Sequence, residues 1–227
     1  MKRALLEELA ARSRDREPRV LATDLATGAS AVVRPHQSEG IRPDLVAAAE
    51  SALSRDAAAV HELAGSPWFL RPFNPPPRIL VVGAVHIAQA LAALGPLVGF
   101  EIIVIDPRTA WATSERFPGV RLVTTWPEPA LAELAPDPRT AVVALTHDPK
   151  LDDPALVRAL ASDAFYVGAL GSRRTHARRM ERLRDHGVSA AELERIHAPI
   201  GLDLGARTPA EIALAVLAEI LAALRNR

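Results

Sequence analysis

The chain has no cysteine. That excludes disulfides, thiolate metal sites and cysteine nucleophiles, and it agrees with a cytoplasmic setting. An excess of either charge is also missing: 27 basic residues stand against 27 acidic ones. Nothing in that balance suggests a nucleic acid or another acidic polymer as partner. No uncharged apolar run reaches membrane-spanning length, so no membrane association is expected. The longest apolar stretch, Ile212 to Leu224, is interrupted by Glu219 and reads as a buried helix. The basic start Met1-Lys2-Arg3 continues to Leu9 as an amphipathic helical pattern without an uncharged core, so a secretory signal is not expected. Internal repeats and low-complexity tracts are absent.

What is present falls into two parts. Pro75-Pro76-Pro77 cannot donate backbone hydrogen bonds and stiffens into an extended form, a natural boundary. Residues 1–74 read as a small α+β module, with strands at 19–24, 30–34, 60–63 and 68–73 and a helix at 43–53. Residues 75–227 read as a Rossmann-like, doubly wound α/β domain with a mostly parallel sheet. Its apolar strand candidates lie at 79–82, 101–105, 120–123, 141–145 and 164–167, several of them separated by helical patterns. Thr208-Pro209-Ala210-Glu211 opens the last helix, to Leu224, with a cap, an early proline and a glutamate three residues on. That helix is apolar almost all round. A second copy of the chain in a homodimer, or the N-terminal module, is expected to cover what the sheet does not.

The first strand of the domain ends at Gly83, and Ile87, Leu91, Leu94 and Val98 follow at helical spacing. A second strand ends in Asp106. Strand, glycine turn, helix, strand and acid make the layout of a dinucleotide-binding unit. The fingerprint wants a second glycine where backbone meets pyrophosphate, and this chain has Val85 there. NAD(P) binding is therefore possible but hindered.

In open α/β sheets, ligands sit beyond the carboxyl ends of the strands. The polar residues collect at those ends and are expected to share one crevice. Gly83 and His86 lie in the first turn. Asp106 and Arg108 follow the second strand, Asp106 either as a ribose acid or as a turn residue. His147 and Asp148 follow a later one, as a base, a metal ligand or part of a capping loop with Asp152 or Asp153 as cap before Pro154. Gly171, Ser172, Arg173 and Arg174 open a basic helix that continues with Arg178 and Arg179. Cations there oppose the helix macrodipole, a penalty that an arriving phosphate would reverse. The alternative is a solvated face paired with Glu181 and Asp185. Asp203 and Arg207 lie on a Gly-containing loop that is either a second wall or a plain connection. No metal site is assigned.

Several ordered motifs carry a resemblance. They are Val104-Ile105-Asp106-Pro107-Arg108, Glu115-Arg116-Phe117-Pro118, Thr146 to Asp153, Tyr166 to His176, and Ala198 to Ala213. Over roughly Trp68 to Leu224 the chain resembles the Rossmann domain of the xanthine dehydrogenase accessory (XdhC/CoxI) family. The resemblance implies a maturation factor for molybdenum hydroxylases of the xanthine, aldehyde or carbon monoxide dehydrogenase type. Such a protein binds molybdenum cofactor, as molybdopterin or a dinucleotide form, and inserts it into the apo-enzyme. On that reading Arg173, Arg174 and the Ser172 helix start hold phosphate, His147 and Asp148 face the pterin or molybdenum oxo groups, and Asp106 and Arg108 line the nucleotide side. Two departures stand out. Val85 replaces a family glycine, and the Gly-Gly-Cys motif of longer members has no counterpart here. A separate cysteine-bearing chain or a sulfurtransferase is therefore an expected partner, besides the apo molybdenum hydroxylase. The competing readings are an NAD(P)-dependent oxidoreductase and a docking scaffold without a small ligand. A binding protein is expected more than a turnover enzyme.

Overall fold

The computed structural model describes residues 5, 7–9, 16–35 and 40–226. The amphipathic pattern read over the first nine residues lies largely outside them. The chain divides into two compact units, Met1–Pro76 and Pro77–Arg227.

Among its described residues, the first unit holds a four-stranded antiparallel sheet with a helix packed on it. Its elements are β1 (Arg19–Asp24), β2 (Ser30–Val33), α1 (Pro43–Arg55), β3 (Ala59–Leu63) and β4 (Ser66–Phe73), with strand order β2-β1-β4-β3. Pro43 fits the first turn of α1, where its missing N–H costs nothing. Leu45, Ala49 and Ala52 recur at helical spacing and pack on Val20, Ala22, Val33 and Leu70.

The second unit has six strands: β5 (Arg78–Val82), β6 (Glu101–Ile105), β7 (Arg121–Val123), β8 (Thr140–Ala144), β9 (Tyr166–Ala169) and β10 (Ile196–His197). Its helices are α2 (His86–Leu94), α3 (Pro127–Leu134), α4 (Pro149–Leu160), α5 (Arg173–Asp185), α6 (Ala190–Leu193) and α7 (Pro209–Arg225). The strand order is β10-β9-β8-β5-β6-β7, with every neighbouring pair parallel. The order reverses between β5 and β8, which is the doubly wound Rossmann arrangement. All of β5 and β8 is buried, because helices cover both faces. Alternation then sorts the side chains. Ile79 and Val81 face α2 and α7, while Leu80 and Val82 face α3 and α4.

Some local expectations need correction. α2 stops at Leu94, because Gly95-Pro96 opens a 3-10 turn, and Val98 is left exposed. β9 begins at Tyr166, where its register meets Ala141, two residues later than its apolar run. β10 has only two residues, too short for any periodicity to announce it. On α7, Leu217 and Ile220 are buried in the chain's own core, and Ile212, Leu221 and Leu224 pack against it. Leu214 is the large exposed apolar residue of that helix.

Candidate functional site

The glycine turn after β5 is already filled from within. Gly83 has φ +112°, and a Cβ there would come within 2.5 Å of the Thr146 methyl. The position therefore needs glycine for its backbone angle and for the close approach of the β8 loop. The next N–H, on Ala84, donates to the Asp106 carboxylate at 2.8 Å. Asp106 is fully buried and also accepts from the Arg108 backbone N–H, Nε and Nη2 at 2.9, 2.9 and 2.7 Å. Burial alone would raise this carboxyl, but those donors outweigh it and hold it below the usual range. Asp106 and Arg108 thus brace the turn, and the acid has no face left for a ribose. His86, the first residue of α2, is exposed.

Thr146, His147 and Asp148 connect β8 to α4. His147 takes a left-handed φ of +64°, unusual for a non-glycine residue. Asp148, not Asp152 or Asp153, caps α4, accepting from Lys150 N–H at 3.0 Å. The helix therefore starts five residues before Pro154, which lies inside it. Asp152 turns back instead, under the loop. It accepts from the Thr146 hydroxyl at 2.6 Å and from the His147 N–H at 3.0 Å. Burial is the largest influence on Asp152 and pushes its carboxyl up, against the Thr146 bond and the nearby Arg179 charge.

Arg179 stands across from it on α5. Its side chain is 2% exposed and its Nη2 is 3.6 Å from Asp152. Nη2 also donates to the Leu170 carbonyl at 2.9 Å, whereas Nε and Nη1 have no partner. Between α4 and α5 a cavity of about 370 Å³ opens. His147, Pro149 and Asp152 form one wall. Arg174, Thr175, Arg178, Arg179 and Arg182 form the other. Arg182 is neutralised by Asp153, at 2.5 and 3.0 Å. Ser172 caps α5 by accepting from Thr175 N–H at 3.2 Å, leaving the earlier N–H groups of the helix open.

The strand-end groups are therefore linked as a chain of contacts. Asp106 holds Ala84, Gly83 meets Thr146, Thr146 reaches Asp152, and Asp152 faces Arg179. Of the twelve candidate residues, His147 and Arg174 line the cavity. Gly171 and Ser172 shape the start of α5. Arg173, Asp203 and Arg207 are exposed and do not line it. A reading centred on the helix start notes Arg178 and Arg179 only as its continuation, assigns the phosphate to Arg173 and Arg174, and misses Arg182. Their signal is legible all the same: 174, 178 and 182 recur every four residues, one stripe of a helix.

The model of the XdhC Rossmann domain matches residues 79–220, nearly two thirds of the chain. The chain belongs to the XdhC family. Among curated relatives, it is 36% identical over 156 residues to a probable xanthine dehydrogenase subunit from Bacillus subtilis, covering 67% of this chain and 44% of that protein. It is 34% identical over 148 residues to the molybdenum cofactor insertion chaperone PaoD of Escherichia coli, covering 65% and 40%. The uncharacterized Escherichia coli protein YqeB is 35% identical over 150 residues, covering 66% and 28%. The chain thus spans less than half the length of these relatives. In fold, a Bacillus halodurans crystal structure described as a xanthine dehydrogenase superposes on 99% of this chain and 65% of its own, with a TM-score of 0.72 at 21% identity. Among the described residues, no helix is long and apolar enough to cross a membrane.

Proposed function

We propose that this XdhC-family chain is a maturation factor that holds molybdenum cofactor for an apo molybdenum hydroxylase. The observation that carries this reading is the arginine-lined cavity at the β8 and β9 ends. The cofactor is an anion by virtue of its phosphate, and the two buried, unpartnered nitrogens of Arg179 fit such a group. When bound, the cofactor supplies the metal centre that the client enzyme uses. The residues here only hold and orient it. Arg174, Arg178 and the open helix start take the phosphate end, and His147, fixed on its strained turn, faces the rest from the opposite wall. Sulfur handling needs a thiolate, which no residue of this chain supplies. A sulfurtransferase or a separate cysteine-bearing chain completes the route. A nicotinamide-dependent reaction is the weaker reading, since Asp106 occupies the turn where a pyrophosphate would sit.

Purification from a host that makes the cofactor tests this. Molybdenum and oxidised pterin, measured by mass spectrometry and fluorescence, should accompany the protein in near-equal amounts. A chain that carries neither, and that does not raise the activity of a co-expressed apo-hydroxylase, would defeat the proposal.

A further inference from the structure

Arg179 is an anomaly of charge accounting. A buried guanidinium has five N–H donors, and leaving them unmet is costly. Arg182, one turn on, has the two-pronged carboxylate partner that buried arginines usually find. Arg179 has a single carboxylate at 3.6 Å and one carbonyl, with Nε and Nη1 facing no acceptor. Asp152 cannot come closer, because its oxygens are tied to Thr146 and His147. Arg174 and Arg178 lie on the same wall with no hydrogen bond or ion pair among the described residues. The lining therefore carries four arginines against Asp152, with Asp153 behind Arg182, an excess of two positive charges.

We infer that the cavity is the seat of a doubly charged phosphoryl group, with Arg179 at its floor and Arg174 and Arg178 closing over it. A dianion cancels the excess. Its several oxygens can accept from Nε and Nη1 of Arg179 and from both outer forks. Gly171 supports this placement: it has no side chain, and a Cβ there would lie 3.9 Å from Arg179 Nη1 and 3.2 Å from the Thr175 methyl. The same chemistry is offered by a terminal phosphate monoester and by the pyrophosphate bridge of a nucleotide-extended ligand. The seat shares its cavity with the maturation role but stands on the arginines alone.

The test is calorimetric titration of the full chain at low salt with inorganic phosphate and, separately, with pyrophosphate. Binding of at least one is expected. A better fit for phosphate identifies the monoester; a better fit for pyrophosphate identifies the bridge. Arg179→Met should abolish binding. Because that variant strands Asp152, the double variant Arg174→Gln/Arg178→Gln, altered only at the surface, serves as the second arm. It should bind at least tenfold more weakly. Arg184→Gln removes a charge from α5 away from the cavity and should bind like the parent. No binding of either anion by the parent overturns the seat, as does a folded double variant that binds normally. If phosphate binds as expected but pterin never accompanies the purified chain, the seat stands and the maturation role falls. If pterin accompanies a folded Arg179→Met chain at the parent level, the seat falls and the role stands.

Discussion

At the scale of single residues, two buried aspartates behave in opposite ways. Asp106 is surrounded by donors and its carboxyl is depressed; Asp152 is dominated by burial and its carboxyl is raised. A depressed carboxylate adds stability that is present above its unfolded value, near 3.8, and lost as pH falls through the lower folded value. Asp106→Asn should therefore cost about 2 kcal/mol near neutral pH, the worth of a lost charged hydrogen-bond set. The parent should lose that advantage only below about pH 4, so the two urea-denaturation curves should converge there. A gap that persists unchanged at pH 3 would show that the carboxylate's charge is not what braces the turn. The apolar run before Asp106 marks it as a strand-end acid. Whether that acid faces a ligand or its own chain is not legible in the run, because it depends on Arg108 folding back two residues later.

At the scale of elements, the ends of β5 and β8 are joined by the Leu145 N–H to Val82 carbonyl bond, and just beyond it the Thr146 methyl fills the space a Cβ on Gly83 would need. Gly83→Ala meets two penalties, a left-handed backbone angle and a clash with Thr146. Together they should cost about 2 kcal/mol or more. Thr146→Ser removes the methyl yet keeps the hydroxyl that donates to Asp152. In the double variant the clash should vanish and the angular cost of about 1 kcal/mol should remain. Additive losses in the four-way cycle would mean that the two positions do not touch. Strand existence is largely legible from apolar runs bounded by turn residues, since buried parallel strands have little other signature. The cavity is legible only in part. Its helix announces itself through Ser172 and the arginines, but choosing Arg173 over Arg178 and Arg179 ignores the face of the helix. The start of α4 is easily misplaced because Asp152 and Asp153 resemble caps before a proline, while a better cap, Asp148, stands one turn earlier.

At the scale of the whole molecule, each unit has a core of its own, and the cores differ greatly in size. Among the described residues, the first unit's cluster around Leu70 holds seven buried apolar residues, and the second unit holds two clusters of twenty, one on each face of its sheet. Small cores recover less of the entropy lost on folding. The unit containing Trp68 should therefore melt at the lower temperature. With Trp111 and Trp126 replaced by phenylalanine, Trp68 fluorescence should change several degrees below the circular dichroism of the remaining helices. Coincident transitions would mean that the units unfold as one. The homodimer expectation rests on an all-apolar last helix, and the fold itself buries most of that surface, leaving Leu214.

The occupied turn after β5 has a consequence for selectivity in a crowded cell. Dinucleotides are common there, and sheets of this topology often bind them at the turn after the first strand. A chain whose own carboxylate already sits on the Ala84 N–H does not need to discriminate against those molecules at the moment of encounter. The incoming pyrophosphate would have to evict a tethered group that is always present at high effective concentration. Self-occupancy of that turn would thus act as a standing competitor for the Ala84 N–H, without engaging the arginines of the neighbouring cavity.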